Sequence, residues 1–102
     1  MVEMEKKEFY KLYIPALELA LKNDSVNYGF YVKSPEDYLD DKTARQIIDY
    51  LDDNEDDFTE RVSYYFDAKS HNFPSIQNID IDEYKKDLIE KISKIKKDFL
   101  IY

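Results

Sequence analysis

With 102 residues, 43% hydrophobic and 37% charged, the chain is long enough for one small core and suits a helical globule better than a disordered or loop-rich one. One Gly, three Pro and no Cys argue against a turn-rich all-β fold and exclude disulfide frameworks and thiolate metal sites. A net charge of −8 repels nucleic acid and anionic lipid, which are bound through Lys and Arg, and points to cationic partners instead.

The N-terminal stretch Met1 to Glu8 carries acids and no apolar h-region, so it does not read as a signal peptide. No apolar run approaches the ~18 residues that a membrane span needs, and a cytoplasmic protein without membrane contact is expected. From residue 3 to 22, Phe9, Leu12, Tyr13, Ala16, Leu19 and Ala20 follow helical spacing, and Tyr10, Ile14, Leu17 and Leu21 widen the apolar face. This helix should lie centrally. Pro15 removes a backbone bond within it, which predicts a kink or two helices meeting near Tyr13.

Alternation over residues 26 to 32 reads as an extended segment, yet no second strand exists to pair with it. It is either a connection whose aromatics cover the core or an edge that adds to a partner's sheet. Ser34-Pro35-Glu36-Asp37 is a helix start, opening a short turn around Tyr38 and Leu39 or a longer helix to Leu51. Ala44, Ile47, Ile48 and Leu51 form the predicted inward stripe of that region, leaving Asp49, Asp52 and Asp53 on the opposite face.

Asn54 is placed to cap the next helix, with Glu55, Asp56 and Asp57 in its first turn and Phe58, Val62, Tyr65 and Phe66 facing inward. A polar connection follows over 70 to 78. Asp80 and Glu83 form a capping-box pattern, with Ile79 stapling onto Tyr84. The last helix buries Tyr84, Leu88, Ile92, Ile95 and Phe99 and exposes a basic face of Lys85, Lys86, Lys91, Lys94, Lys96 and Lys97. No repeat interrupts the pattern. The expectation is an all-α compact bundle of about four helices, a single domain over 1–102.

Charge is concentrated in this frame. Residues 36 to 60 hold eleven carboxylates against two bases, Lys42 and Arg45, and residues 49 to 60 hold seven with none. The run falls on a helix-to-helix corner, and Asp52 and Asp53 sit at a helix C-terminus, where the dipole disfavours them. Calcium does not suit this stretch. In the register starting at Asp52 the loop pattern meets Asp57 where Gly is needed and Ser63 where a bidentate Glu is needed. The register from Asp53 meets Phe58 and Tyr64 there. No metal and no cofactor are expected.

His71 is the single histidine, without Cys or a Ser nucleophile motif, and suits packing or solvation better than catalysis. No enzyme is expected. Ten Tyr and six Phe exceed what the core stripes use, and Tyr50 and Tyr64 flank the acidic corner as interface anchors or as cover for a thin core. The expected partner surface is Asp49, Asp52, Asp53, Glu55, Asp56, Asp57 and Glu60 with Tyr50 and Tyr64.

Tyr64-Tyr65-Phe66-Asp67, a loop containing Pro74, and Asp80-Ile81-Asp82-Glu83-Tyr84-Lys85-Lys86-Asp87-Leu88-Ile89 opening a final helix resemble the colicin D-type immunity proteins. The resemblance covers roughly residues 44 to 97; the aromatic segment at 26 to 32 departs from it. It implies a small acidic helical bundle that covers the positive active site of a tRNA-cleaving toxin, here a basic nuclease domain held in a one-to-one complex. Two other readings fit the acidity or the aromatics: a phage-type anti-defence protein mimicking DNA, and a structural adaptor bound through residues 26 to 32. A plain solubilising face is the simplest use of the charge.

Overall fold

The computed structural model describes residues 4–24, 32–71 and 80–101, and over these the protein is an all-α bundle. Four α-helices follow one another, α1 (Lys6–Lys22), α2 (Asp41–Asn54), α3 (Asp57–His71) and α4 (Ile81–Asp98), with a 3-10 turn at Pro35–Tyr38. Helix α1 packs against the 3-10 turn and α2, while α3 pairs with α4. The extended stretch expected at 26 to 32 lies outside the described residues except for Val32, which packs on the core, and so does the Ile79 staple.

Helix α1 is central, as its wide apolar face requires. Phe9, Tyr10, Tyr13, Ile14, Ala16, Leu17, Ala20 and Leu21 are all buried. Of the two outcomes expected at Pro15, a kink or two helices meeting near Tyr13, the second does not occur: α1 is one helix that runs through Pro15. An interior proline costs about 3 kcal/mol. Each large apolar side chain buried contributes about 1.5–3 kcal/mol, so the residues around Pro15 outweigh it. Pro15 and Lys11 both face solvent, where water can take the carbonyl that lost its partner.

The Ser34 signal opens the short alternative. The Ser34 N–H and hydroxyl both donate to Asp37 Oδ2, at 2.8 and 3.2 Å, closing a capping box over a single 3-10 turn. Helix α2 then starts afresh at Asp41. Its inward face differs from the expected stripe: Ile47 is fully buried, but Ile48 is 47% exposed and Tyr50 packs inward in its place. The Tyr50 ring stacks on Phe9 at 4.3 Å, a contact that large offset rings favour.

Helix α3 buries Phe58, Val62, Tyr65 and Phe66 as expected and extends to His71, into the stretch expected to be loop. Asp80 caps α4, accepting from the Asp82 and Glu83 amides at 3.0 and 3.3 Å. Leu88 and Ile92 are buried on α4, with Tyr84, Ile95 and Phe99 packed beside them. The basic face of α4 is partly consumed: Lys85 pairs with Asp24, Lys91 with Asp87 and Lys96 with Glu18. Lys86, Lys94 and Lys97 are exposed.

Past α4, Leu100 takes a left-handed φ of 54°, and the Ile101 N–H donates to the Lys96 carbonyl at 2.8 Å. This Schellman-type turn folds Ile101 into the core, where it is buried. A non-glycine residue in that region costs about 1–2 kcal/mol, which the burial of Ile101 offsets.

One carboxylate binds three helices. Asp24, just past α1, is buried; its Oδ1 accepts from Lys85 Nζ at 2.9 Å, and its Oδ2 accepts from the Tyr65 hydroxyl. Its side chain is 2% exposed while that of Lys85 is 30% exposed, so the two ends of the pair are not equivalent. Removing Lys85 strands a buried anion, whereas neutralising Asp24 leaves a lysine that reaches water. Lys85→Met should therefore cost about 3 kcal/mol in denaturant unfolding, and Asp24→Asn about 1 kcal/mol. Equal losses would show that the asymmetry has no energetic weight.

Burial holds the phenols of Tyr10, Tyr13 and Tyr65 well above the ordinary tyrosine value, assisted by the carboxylates of Asp56, Glu36 and Asp24 respectively. A raised folded-state value means that the stabilisation is complete below the unfolded value near about 10 and is lost as pH rises beyond it. Thermal melts should hold steady through mildly alkaline pH and fall above about 10. Tyrosinate absorbance should rise together with the loss of helix; ionisation of these phenols in the still-folded protein would contradict the assignment.

Candidate functional site

Asp49, Asp52 and Asp53 lie at i, i+3 and i+4 on α2 and are all exposed, as are Asn54 and Glu55 beyond them. No basic residue occupies the last turn of α2. Two of these carboxylates, Asp52 and Asp53, thus sit at the negative end of the helix dipole, an arrangement that costs roughly 0.3–1 kcal/mol for each acid in the last turn. Helix α3 begins at Asp57 and carries Glu60 exposed in its first turn. Among the described residues, no ion pair reaches Asp49, Asp52, Asp53, Glu55 or Glu60.

The other acids of the corner are engaged. Asp56, not Asn54, caps α3: its Oδ1 accepts from the Thr59 amide at 2.9 Å, and the Thr59 hydroxyl in turn accepts from the Asp56 N–H at 2.9 Å. Asp56 Oδ2 accepts from the Tyr10 hydroxyl at 3.1 Å, which ties the corner to α1. Asn54 instead ends α2, its Nδ2 donating to the Tyr50 carbonyl at 3.0 Å. The cap moved two residues because Asp56 alone meets both Thr59 and a core hydroxyl. Asp57 pairs with Arg61 at 3.1 Å, and Arg61 also reaches Asp87 at 3.4 Å.

The two tyrosines expected as anchors both pack against neighbouring rings. Tyr50 stacks on Phe9 with an interplanar angle of 17°, and Tyr64 leans on Tyr84 at 5.7 Å between ring centres. Both are half-buried, and burial together with the Asp56 charge raises the Tyr50 phenol above its ordinary value. They fill the edges of a thin core. The exposed carboxylates of the corner outside any ion pair among the described residues are Asp49, Asp52, Asp53, Glu55 and Glu60, while Asp57 is partly neutralised by Arg61.

Nothing in the sequence singled out Asp24 or Thr59, although both are buried polar groups on which the helix arrangement depends. The Asp56-to-Thr59 spacing could have been read as a cap; neighbouring acids at 53, 55 and 57 concealed it. The side chain of His71 lies outside the described residues. No helix among the described residues is long and apolar enough to cross a membrane. Comparison with protein families, with curated proteins and with solved structures returned no match to this chain.

The division between engaged and free acids is measurable. Asp56→Ala removes a cap and strands the Tyr10 hydroxyl, and should cost about 2 kcal/mol in unfolding free energy. Asp52→Asn and Asp53→Asn should be neutral or slightly stabilising, since they relieve the adverse dipole. Loss of stability in these two comparable to that of Asp56→Ala would show that they too are structural.

Proposed function

We propose that this protein is an immunity- or antitoxin-like inhibitor, cytoplasmic and without catalytic activity, that covers the basic active site of a nucleic-acid-cleaving toxin. The resemblance of residues 44 to 97 to the colicin D-type immunity proteins points to a tRNA-cleaving partner. The observation that carries the reading is the free set Asp49, Asp52, Asp53, Glu55 and Glu60: exposed, unpaired among the described residues, and held partly against the α2 dipole. A solubilising face does not require acids at the end of a helix where they are destabilising. Carboxylates fixed on a rigid corner can stand where phosphates stand in a nuclease cleft, and their field accelerates encounter with a basic surface. Bound in this way, the protein touches its partner and not the nucleic acid.

Co-expression with a nuclease found encoded beside its gene should restore growth to cells that such a nuclease kills. The combined variant Asp52→Asn, Asp53→Asn, Glu55→Gln should bind that nuclease with an association rate about tenfold lower or less, and with a flatter dependence on salt. Undiminished inhibition by this variant would remove the acidic corner from the interface. Failure of the wild-type protein to inhibit any neighbouring nuclease would remove the reading itself.

A further inference from the structure

A cleft of about 190 Å³ opens where α3 meets α1 and the 3-10 turn. Its inner walls are the buried Tyr13, Pro35, Val62 and Phe66, and Ser34 also lines it, so the lining as a whole is mixed, with apolar side chains inside and polar groups towards the opening. Its mouth carries two carboxylates, half-buried Glu36 and exposed Asp67, and the exposed Ser63. Neither Glu36 nor Asp67 joins an ion pair among the described residues. The Glu36 charge is felt within, since it adds to the burial that keeps the Tyr13 phenol neutral.

Size and lining narrow the occupant. Drug-sized ligands and cofactors take pockets of about 300–1,000 Å³, so this space fits a single long side chain or a small cation. Apolar walls ending in carboxylates match a side chain with an apolar stem and a cationic head. Guanidinium is more weakly hydrated than ammonium, lies flat against aromatic rings and offers a fork of donors to carboxylates, which favours arginine over lysine. Along α3, Glu60, Ser63 and Asp67 share one face, so the mouth of the cleft continues the acidic surface that starts at the α2–α3 corner.

We propose that this cleft is the receptor for one arginine side chain of a basic protein partner, whose guanidinium lies between Glu36 and Asp67 with its stem against Val62 and Phe66. The identity of the partner rests on the functional reading above; the arginine specificity rests on the cleft alone. A basic surface would be drawn in by the free acids of the corner and fixed in register by this one insertion, the division of labour between rim charge and buried anchor seen in tight interfaces.

The test uses isotope-labelled full-length protein and N-acetyl-arginine-N-methylamide, which carries the side chain but no free amino acid backbone. Amide resonances of Glu36, Ser63, Phe66 and Asp67 should shift saturably in the millimolar range, while the neutral citrulline analogue should leave them unmoved. The combined variant Glu36→Gln, Asp67→Asn should weaken binding about tenfold or more. Ser63→Phe, which fills the mouth and keeps the charges, should abolish it, and Asp52→Asn with Asp53→Asn should leave it intact. Equal binding of the citrulline analogue, shifts confined to the corner acids, or undiminished binding in Ser63→Phe would overturn the proposal. Much tighter binding of free L-arginine would also overturn it, because the cleft would then take the amino acid and not a protein side chain. Arginine binding in a protein that inhibits no nuclease would sink the functional reading and leave the cleft standing; inhibition without arginine selectivity would do the reverse.

Discussion

Asp56 joins the two tasks this chain performs, packing a small core and displaying a charged surface. One of its oxygens satisfies the first turn of α3 through Thr59, and the other accepts from Tyr10 of α1. Because that carboxylate faces inward, the connection between α2 and α3 is pinned to the core at its midpoint. The acids on either side of it, Asp53, Glu55 and Asp57, are left exposed. A corner anchored in this way holds its charges in fixed positions, and fixed charges act on a partner without the entropic cost of ordering them first.

Carboxylates elsewhere divide by the same rule. Asp24 is buried and stitches α1 to α3 and α4 through Tyr65 and Lys85, Glu18 meets Lys96, and Asp87 shares Arg61 with Asp57. These pairs engage part of the basic face of α4, while Lys86, Lys94 and Lys97 stay exposed. The acids at the end of α2 and Glu60 on α3 have no such partners among the described residues. It is this asymmetry, more than the total of −8, that gives the surface a direction in which a cationic partner would approach.

The amphipathic stripes are legible in the sequence because helix burial follows a 3.6-residue period. Phe58, Val62, Tyr65 and Phe66, and likewise Leu88 and Ile92, face inward as their spacing requires. The readings that failed were those decided by a neighbour. Ile48 and Tyr50 exchange roles because Phe9 presents a flat ring where only a second ring stacks well. Tyr50 and Tyr64, off the predicted stripes, find ring partners on other helices, so these aromatics also pack the edges of the core.

The sequence by itself determined that the protein is helical, which apolar stripes its helices carry, and that its acidity is concentrated between residues 36 and 60, because periodicity and charge are local properties. Only the tertiary structure decided which of those acids remain free, since a carboxylate is engaged or released according to a hydroxyl or cation supplied by a distant residue: Tyr10 for Asp56, Lys85 for Asp24. The cleft at Glu36 and Asp67 belongs to the same class. Its two carboxylates are thirty-one positions apart in the chain, and no spacing rule connects them until α1, α3 and the 3-10 turn converge.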